Sequence, residues 1–417
     1  MQQGSKPRRI SVYLQPGSPA GESFVRMNLD HLLDRYVNDG RLFQLADKLG
    51  LSKPQHLVLK HLSGSAAECI LAALLKHAAS QNSNHLVILN DAEEAAYFHN
   101  TLENLSGALD LFYFPSSFRN KKNYSLLNSS HVMLRTETLT RLSTGGNKKL
   151  VVTYPEALFE KLVPPDTLSK NIIHIKVNDV LDTVKLFAQL TDAGFHRTDF
   201  VYEPGQFAVR GGIVDIYSFG NEKPYRVELF GNDVDSIRLF DPESQLSERK
   251  LLQVSIIPNL QAEMPAEATV SLFDFMPAQT AVWMNDWQFV KERLEIQEED
   301  LGLFLARNEG AKATDEDEGE KLHRSTVRAE EFFTAAEIGD FLQSYSVVEM
   351  EGAAGFPGRL PLEIDFHTKP QPSFNRQFEL LIKDFQQWEK KGFELYFFAE
   401  NPKQLERLHS IFEDLKA

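Results

Sequence analysis

The chain of 417 residues carries 44 Lys and Arg against 59 Asp and Glu, a net charge of −15. That surplus of acid argues against a general nucleic-acid coat, which needs a basic face, and leaves room only for a local basic patch. With 42% hydrophobic residues and 30 Phe, a chain this long can bury a core and divides into roughly two or three domains. Its one cysteine, Cys69, excludes an internal disulfide and points to a reducing compartment. No apolar run approaches the ~18 residues that span a bilayer. Lys6, Arg8 and Arg9 lead into no apolar signal stretch. A soluble, cytoplasmic protein is the expectation.

Residues 1–26 are rich in Gly, Pro, Ser and Gln, lack periodicity, and read as a disordered arm or upstream extension, with Met27 as a candidate native start. Leu29, Leu32, Leu33, Tyr36 and Val37 then fall on one helical face, Gly40 ends that helix, and a short helix runs to Leu49. A β-α-β rhythm follows. The pattern predicts strands at 56–62, 86–89, 110–114 and 149–153, with helices at 66–79, from Asp91 to about 105, and at 126–142. Strands separated by helices imply a parallel sheet covered on both faces.

The pattern changes after Pro164-Pro165. A strand at 171–177 and a helix at 179–193, capped by Asn178 or Asp179, precede a β-rich stretch. Strands at 206–217, 225–230 and 234–240, joined by short turns, predict an antiparallel meander in a small α+β module. Strand character returns at 251–258 and 280–283. Residues 291–320 are strongly charged, and Asp315, Glu316, Asp317, Glu318 and Glu320 read as a solvated loop. Residues 352–358 resemble a linker. A helix at 374–391, a strand at 393–399 and a helix at 401–415 then begin a further α/β domain.

The strand, Ser63-Gly64-Ser65 turn and following helix stand where a mononucleotide-binding fold places its phosphate loop. A working loop needs several glycines, a Lys for the phosphates and a Ser or Thr for magnesium. Here Leu62-Ser63-Gly64-Ser65-Ala66-Ala67-Glu68-Cys69 has one Gly, no Lys and an acid that would repel a triphosphate. An ordinary tight β-α turn is the better reading. Asp91 is better explained as a helix cap than as a magnesium ligand. Asp233 and Asp235, one face of a strand start, are equally well explained by a turn at Asp233. Among 12 histidines no His-Glu-x-x-His run or Cys/His cluster occurs, which speaks against zinc. His56 and His61, flanking a strand, and Cys69, on an apolar helix, read as structural.

The stretch 193–246 is the richest. Gly211-Gly212 interrupts a strand of Phe207, Val209, Ile213, Val214 and Ile216, as at a bulge or a close backbone approach. Arg197, Arg210, Arg226 and Arg238 lie in or beside the meander. An Arg on a rigid sheet suits two-pronged recognition of a carboxylate. Each Arg can equally pair within the module, with Asp199, Glu203, Glu228 or Asp235, and composition alone slightly favours that.

Ala193-Gly194-Phe195-His196-Arg197, followed by Pro204-Gly205-Gln206-Phe207-Ala208-Val209-Arg210-Gly211-Gly212-Ile213-Val214-Asp215-Ile216-Tyr217, resembles a signature of the bacterial transcription-repair coupling factors. So do Pro224-Tyr225-Arg226-Val227-Glu228-Leu229-Phe230-Gly231, Asp235-Ser236-Ile237-Arg238-Leu239-Phe240-Asp241 and Gln245-Leu246-Ser247. The excision-repair helicase UvrB shares a shorter form. The resemblance implies a degenerate, UvrB-like P-loop-type domain at 27–160 and 245–355 and an inserted UvrA-binding-like domain at 161–244. The linker and the start of a next α/β domain then fall at 356–417. It further implies that this is the N-terminal part of a longer ATP-dependent DNA translocase, whose motor holds ATP and magnesium and whose other regions meet RNA polymerase and DNA. The fragment itself is then a non-catalytic docking module with no cofactor or metal. Its partner is UvrA, which it recruits to stalled RNA polymerase. Carried over by motif, the contact falls on Arg197 and Arg210, with Phe207 as an apolar neighbour, and His196 replaces a basic position of some relatives. Two rival readings are a helicase-like ATPase and a DNA-binding module using Arg119, Lys121 and Lys122 beside Phe118 and Tyr124.

Overall fold

The computed structural model describes residues 11–14, 29–77, 83–106, 110–120, 122–144, 148–165, 172–219, 221, 223–257, 269–277, 279–308, 327–351, 355–375, 377–399 and 402–415. The acidic cluster at 315–320 lies outside them.

The fold is mixed α/β and is built on two large sheets. In the first, seven strands lie in the order Leu362–Asp365, His56–Lys60, Ser346–Glu349, Thr280–Met284, Asn84–Ile88, Lys149–Thr153 and Asp110–Tyr113, every neighbouring pair parallel. Every residue of Asn84–Ile88, Lys149–Thr153 and Thr280–Met284 is buried. Because successive side chains point to opposite faces, such strands are stable only with both faces covered. Helices Leu29–Val37, Gly40–Leu49, Ala66–Lys76, Ala92–Ser106, Ser129–Ser143, Trp287–Asn308 and Ala335–Leu342 supply the cover. The core therefore lies along this sheet, with Trp283 and Phe114 fully enclosed.

The second sheet is inserted in sequence after Lys149–Thr153 and before Thr280–Met284, two strands of this frame that flank Asn84–Ile88. Its six strands run Ser247–Leu251, Asp233–Phe240, Tyr225–Phe230, Ile213–Ile216, Gln206–Arg210 and His196–Arg197. All pairs are antiparallel except the last, which is parallel. Ile173–Lys176 and Gln253–Ile256 pair with each other, so the chain arrives at this module and leaves it side by side. Hydrogen bonding carries the module past residue 244, and the strand Leu362–Asp365 joins the first sheet rather than a later domain.

Two expectations change in detail. The stretch 206–217 is two strands rather than one: Arg210 pairs with Ile213 across a two-residue turn, Gly211-Gly212. Gly211 sits at φ +61°, the left-handed value that the first position of a type II′ hairpin demands. The helix expected at 179–193 starts at Thr183, because Asp182, and not Asn178 or Asp179, caps it by accepting from the Lys185 N–H at 3.1 Å.

Within the segment read as a disordered arm, Ser11–Leu14 forms a strand parallel to Tyr396–Ala399. Helices Phe378–Lys390 and Pro402–Asp414 flank that pair in sequence.

Candidate functional site

The six-stranded sheet has two unlike faces. Phe207, Ile216 and Tyr225 align across neighbouring strands, as do Val209, Val214 and Val227. Helix Thr183–Asp192 buries this face, and its Phe187 stacks on Phe207 with centroids 5.8 Å apart. Across the other face Ala208, Asp215, Arg226 and Arg238 align, one strand to the next. Period-two alternation thus concentrates charge on one side.

Asp215 organises that charge. Its carboxylate is fully buried and takes Arg226 through Nε at 2.8 Å and Nη2 at 2.9 Å. It also accepts from Arg210 Nη2. Arg226 donates a further bond to the Gln245 carbonyl at 3.0 Å and lies over the Phe240 ring at 4.3 Å. Arg210 donates to the Asp199 carbonyl at 2.9 Å and rests on Phe200 at 4.7 Å, keeping 34% of its side chain exposed. Arg238 pairs with Glu228 at 3.2 Å. The acid that gathers two of the arginines is thus one that sequence reasoning did not weigh. The available signal was a lone carboxylate inside the apolar run Ile213-Val214-Asp215-Ile216.

Arg197 differs from these. It is exposed on the edge strand His196–Arg197 and has no ion-pair partner among the described residues. Its register partner is Phe207, so it lies on the face opposite Arg210. The two arginines expected to act together are not brought to one face. Phe207, expected as the apolar neighbour of the contact, is 2% exposed and belongs to the module core. Exposed aromatic surface is supplied instead by Phe200 and Tyr202.

Close approach, rather than a bulge, explains the second glycine of the hairpin. A Cβ on Gly212 would lie 2.7 Å from the Leu229 carbonyl oxygen, and the Leu229 N–H bonds to the Gly212 carbonyl at 2.7 Å.

At the first sheet, the Ser63-Gly64-Ser65 turn leads from His56–Lys60 into Ala66–Lys76. Gly64 takes φ +57°. Burial pushes the Glu68 carboxyl above its usual range, and burial pushes the Cys69 thiol up to about 11. Asp91 caps its helix by accepting from the Glu94 N–H at 2.9 Å. His56 is buried against Glu349 at 2.7 Å. Of the basic-aromatic patch, Phe118 and Tyr124 are buried against one another, Arg119 is exposed, and Lys122 pairs with Asp300 at 3.2 Å. Lys121 lies outside the described residues.

Residues 173–261 match the model of the UvrB interaction domain, a span that begins with the strand Ile173–Lys176 and contains the whole six-stranded sheet. The transcription-repair-coupling factor of Bacillus subtilis (strain 168) is 31% identical over 202 residues, which are 48% of this chain and 17% of that protein. That of Rickettsia typhi is 30% identical over 198 residues, 46% of this chain and 17% of that protein. That of Staphylococcus haemolyticus is 24% identical over an alignment of 438 positions, covering 92% of this chain and 36% of that protein. Over these spans the chain is similar to the transcription-repair-coupling factors. It spans 17% to 36% of the length of these relatives. Among the described residues no helix is long and apolar enough to cross a membrane.

Proposed function

We propose that this chain is the N-terminal docking part of a transcription-repair coupling factor. It recruits UvrA to RNA polymerase stalled at damaged DNA, while ATP hydrolysis and DNA translocation belong to regions outside it. The observation that carries the reading is the match of residues 173–261 to the UvrB interaction domain, over a module that exposes Arg197, which has no ion-pair partner among the described residues. A guanidinium with no internal carboxylate is available to a partner's carboxylate, and a desolvated pair of that kind is a typical interface hot spot. Arg210 has a second role in this reading. Its one-third exposed guanidinium, on the opposite face of the sheet with Phe200 beneath it and Tyr202 nearby in sequence, offers a separate polar contact, while Asp215 fixes its direction.

The absence of catalysis in this part is supported by the turn at 63–65, which brings no Lys, and by the acid at Glu68 behind it. The reading is tested by titrating purified UvrA into the chain and following the heat. A saturable complex is expected, and no detectable association contradicts it.

A further inference from the structure

Three metal-ligating side chains from distant parts of the sequence meet at the carboxyl end of the seven-stranded sheet. His61 follows the strand His56–Lys60, and Asp365 closes the neighbouring edge strand Leu362–Asp365, where it registers with Lys60. His367 comes two residues later. His61 Nδ1 lies 2.8 Å from Asp365 Oδ2, and His367 Nδ1 lies 3.0 Å from Asp365 Oδ1. The imidazole rings stack with centroids 6.3 Å apart and planes at 19°. One ligand atom from each residue lies within 4.8 Å of the others.

The backbone is fixed around this trio. The Phe366 N–H donates to the Lys60 carbonyl at 3.0 Å, and Thr368 donates to the His61 carbonyl through N at 3.0 Å and Oγ1 at 2.6 Å. The His367 N–H donates to Asp365 Oδ1 at 2.8 Å. Both histidines occupy left-handed backbone, φ 52° at His61 and 54° at His367. For side chains with a Cβ this backbone is strained, and such strain gathers at functional sites. Here two strained residues aim their rings at one carboxylate.

We propose that His61, Asp365 and His367 bind one Zn²⁺ ion. Two imidazole nitrogens and a carboxylate oxygen suit zinc, whereas calcium and magnesium take oxygen ligands. Bond lengths near 2.0–2.1 Å in a tetrahedral site set donor separations of about 3.3 Å. The donors, already close, need only small side-chain rotations to reach them. Three protein ligands leave a fourth position for water. The histidine side chains are 65% and 73% exposed, so the ion exchanges freely with solvent. Bound zinc ties the edge strand to its neighbour across 304 residues of sequence, beside the turn at 63–65. That separation hides the trio from any local sequence pattern, which is why the sequence spoke against zinc.

The test is a titration of ZnCl₂ into the chelator-stripped 417-residue chain by calorimetry, with Co²⁺ absorption spectra as a second readout. One ion per chain, the intense visible bands of four-coordinate cobalt and a zinc-dependent rise in melting temperature are expected. His61→Gln and His367→Gln should each weaken binding by at least about 10–100-fold, the range seen when even supporting residues of metal sites are lost. His174→Gln, at an exposed histidine of the strand Ile173–Lys176, should leave binding unchanged. Equal affinity in the His61→Gln, His367→Gln double variant, or no stoichiometric binding by the parent, overturns the proposal. Should a variant fail to fold, the parent's cobalt spectrum decides, and the weak bands of an octahedral aquo-ion overturn it.

Discussion

Asp215 and Arg226 form a two-pronged ion pair, Nε to Oδ1 at 2.8 Å and Nη2 to Oδ2 at 2.9 Å, with the carboxylate wholly removed from solvent. Removing one partner of a buried pair strands the other charge, at a cost of roughly 3–5 kcal/mol. Asp215→Asn should therefore lower the stability of the six-stranded module by about that amount in urea unfolding. Arg238→Ala breaks a pair that is one-third exposed on both sides and should cost about 1 kcal/mol or less.

The hairpin at Gly211-Gly212 separates two kinds of glycine requirement. Gly211 has open space around it and needs only its positive φ. Gly212 faces the Leu229 carbonyl at 2.7 Å from any added Cβ, and that oxygen is backbone that cannot rotate away. Gly212→Ala should push the strand Tyr225–Phe230 outward and cost about 1–3 kcal/mol. Gly211→Ala should cost about 1 kcal/mol, the penalty for a left-handed residue bearing a Cβ. Comparing the melting temperatures of the two variants checks the order.

Acid should destabilise the parallel sheet through His85. Burial holds its imidazole down to about 3, and its Nδ1 accepts from the Trp283 indole N–H at 3.0 Å. The unfolded chain protonates this histidine near its ordinary value of 6.5, so it takes up a proton that the folded chain refuses. The stabilisation is complete above 6.5 and is lost as pH falls below it, at roughly 1.4 kcal/mol per unit. Burial lowers His99 and His131 as well, which adds loss of the same sign. His85→Gln keeps an acceptor for Trp283 without a proton to gain. Between about pH 6.5 and pH 5 it should lose about 2 kcal/mol less than the parent in urea unfolding.

Nucleotide should find no hold at the turn 63–65. It offers one glycine, no lysine and the nearby Glu68. Titration of ATP with magnesium into the chain should give no saturable heat. Saturable binding would show that other residues grip the phosphates.

Much of the parallel frame was readable from the chain. The strands at 149–153 and 225–230 fall where apolar patterning put them, because short buried strands between turn residues leave few alternatives. What escaped was pairing at long range. A run from 206 to 217 reads as one strand unless the glycines are seen to reverse it, since both halves carry the same alternation. Phe207 looks like an exposed neighbour of arginines in sequence, yet register assigns it to the helix-covered face. Asp215 and the trio at His61, Asp365 and His367 acquire meaning only when strands are laid side by side.

The most direct measurement compares UvrA affinity for the parent chain and for Arg197→Ala, with Arg238→Ala as a folded control. Arg197 has no ion-pair partner among the described residues, so its loss should leave the module intact. A loss of about 2–5 kcal/mol in binding, with Arg238→Ala unchanged, is the expected result. Parent-like affinity in Arg197→Ala would contradict the account.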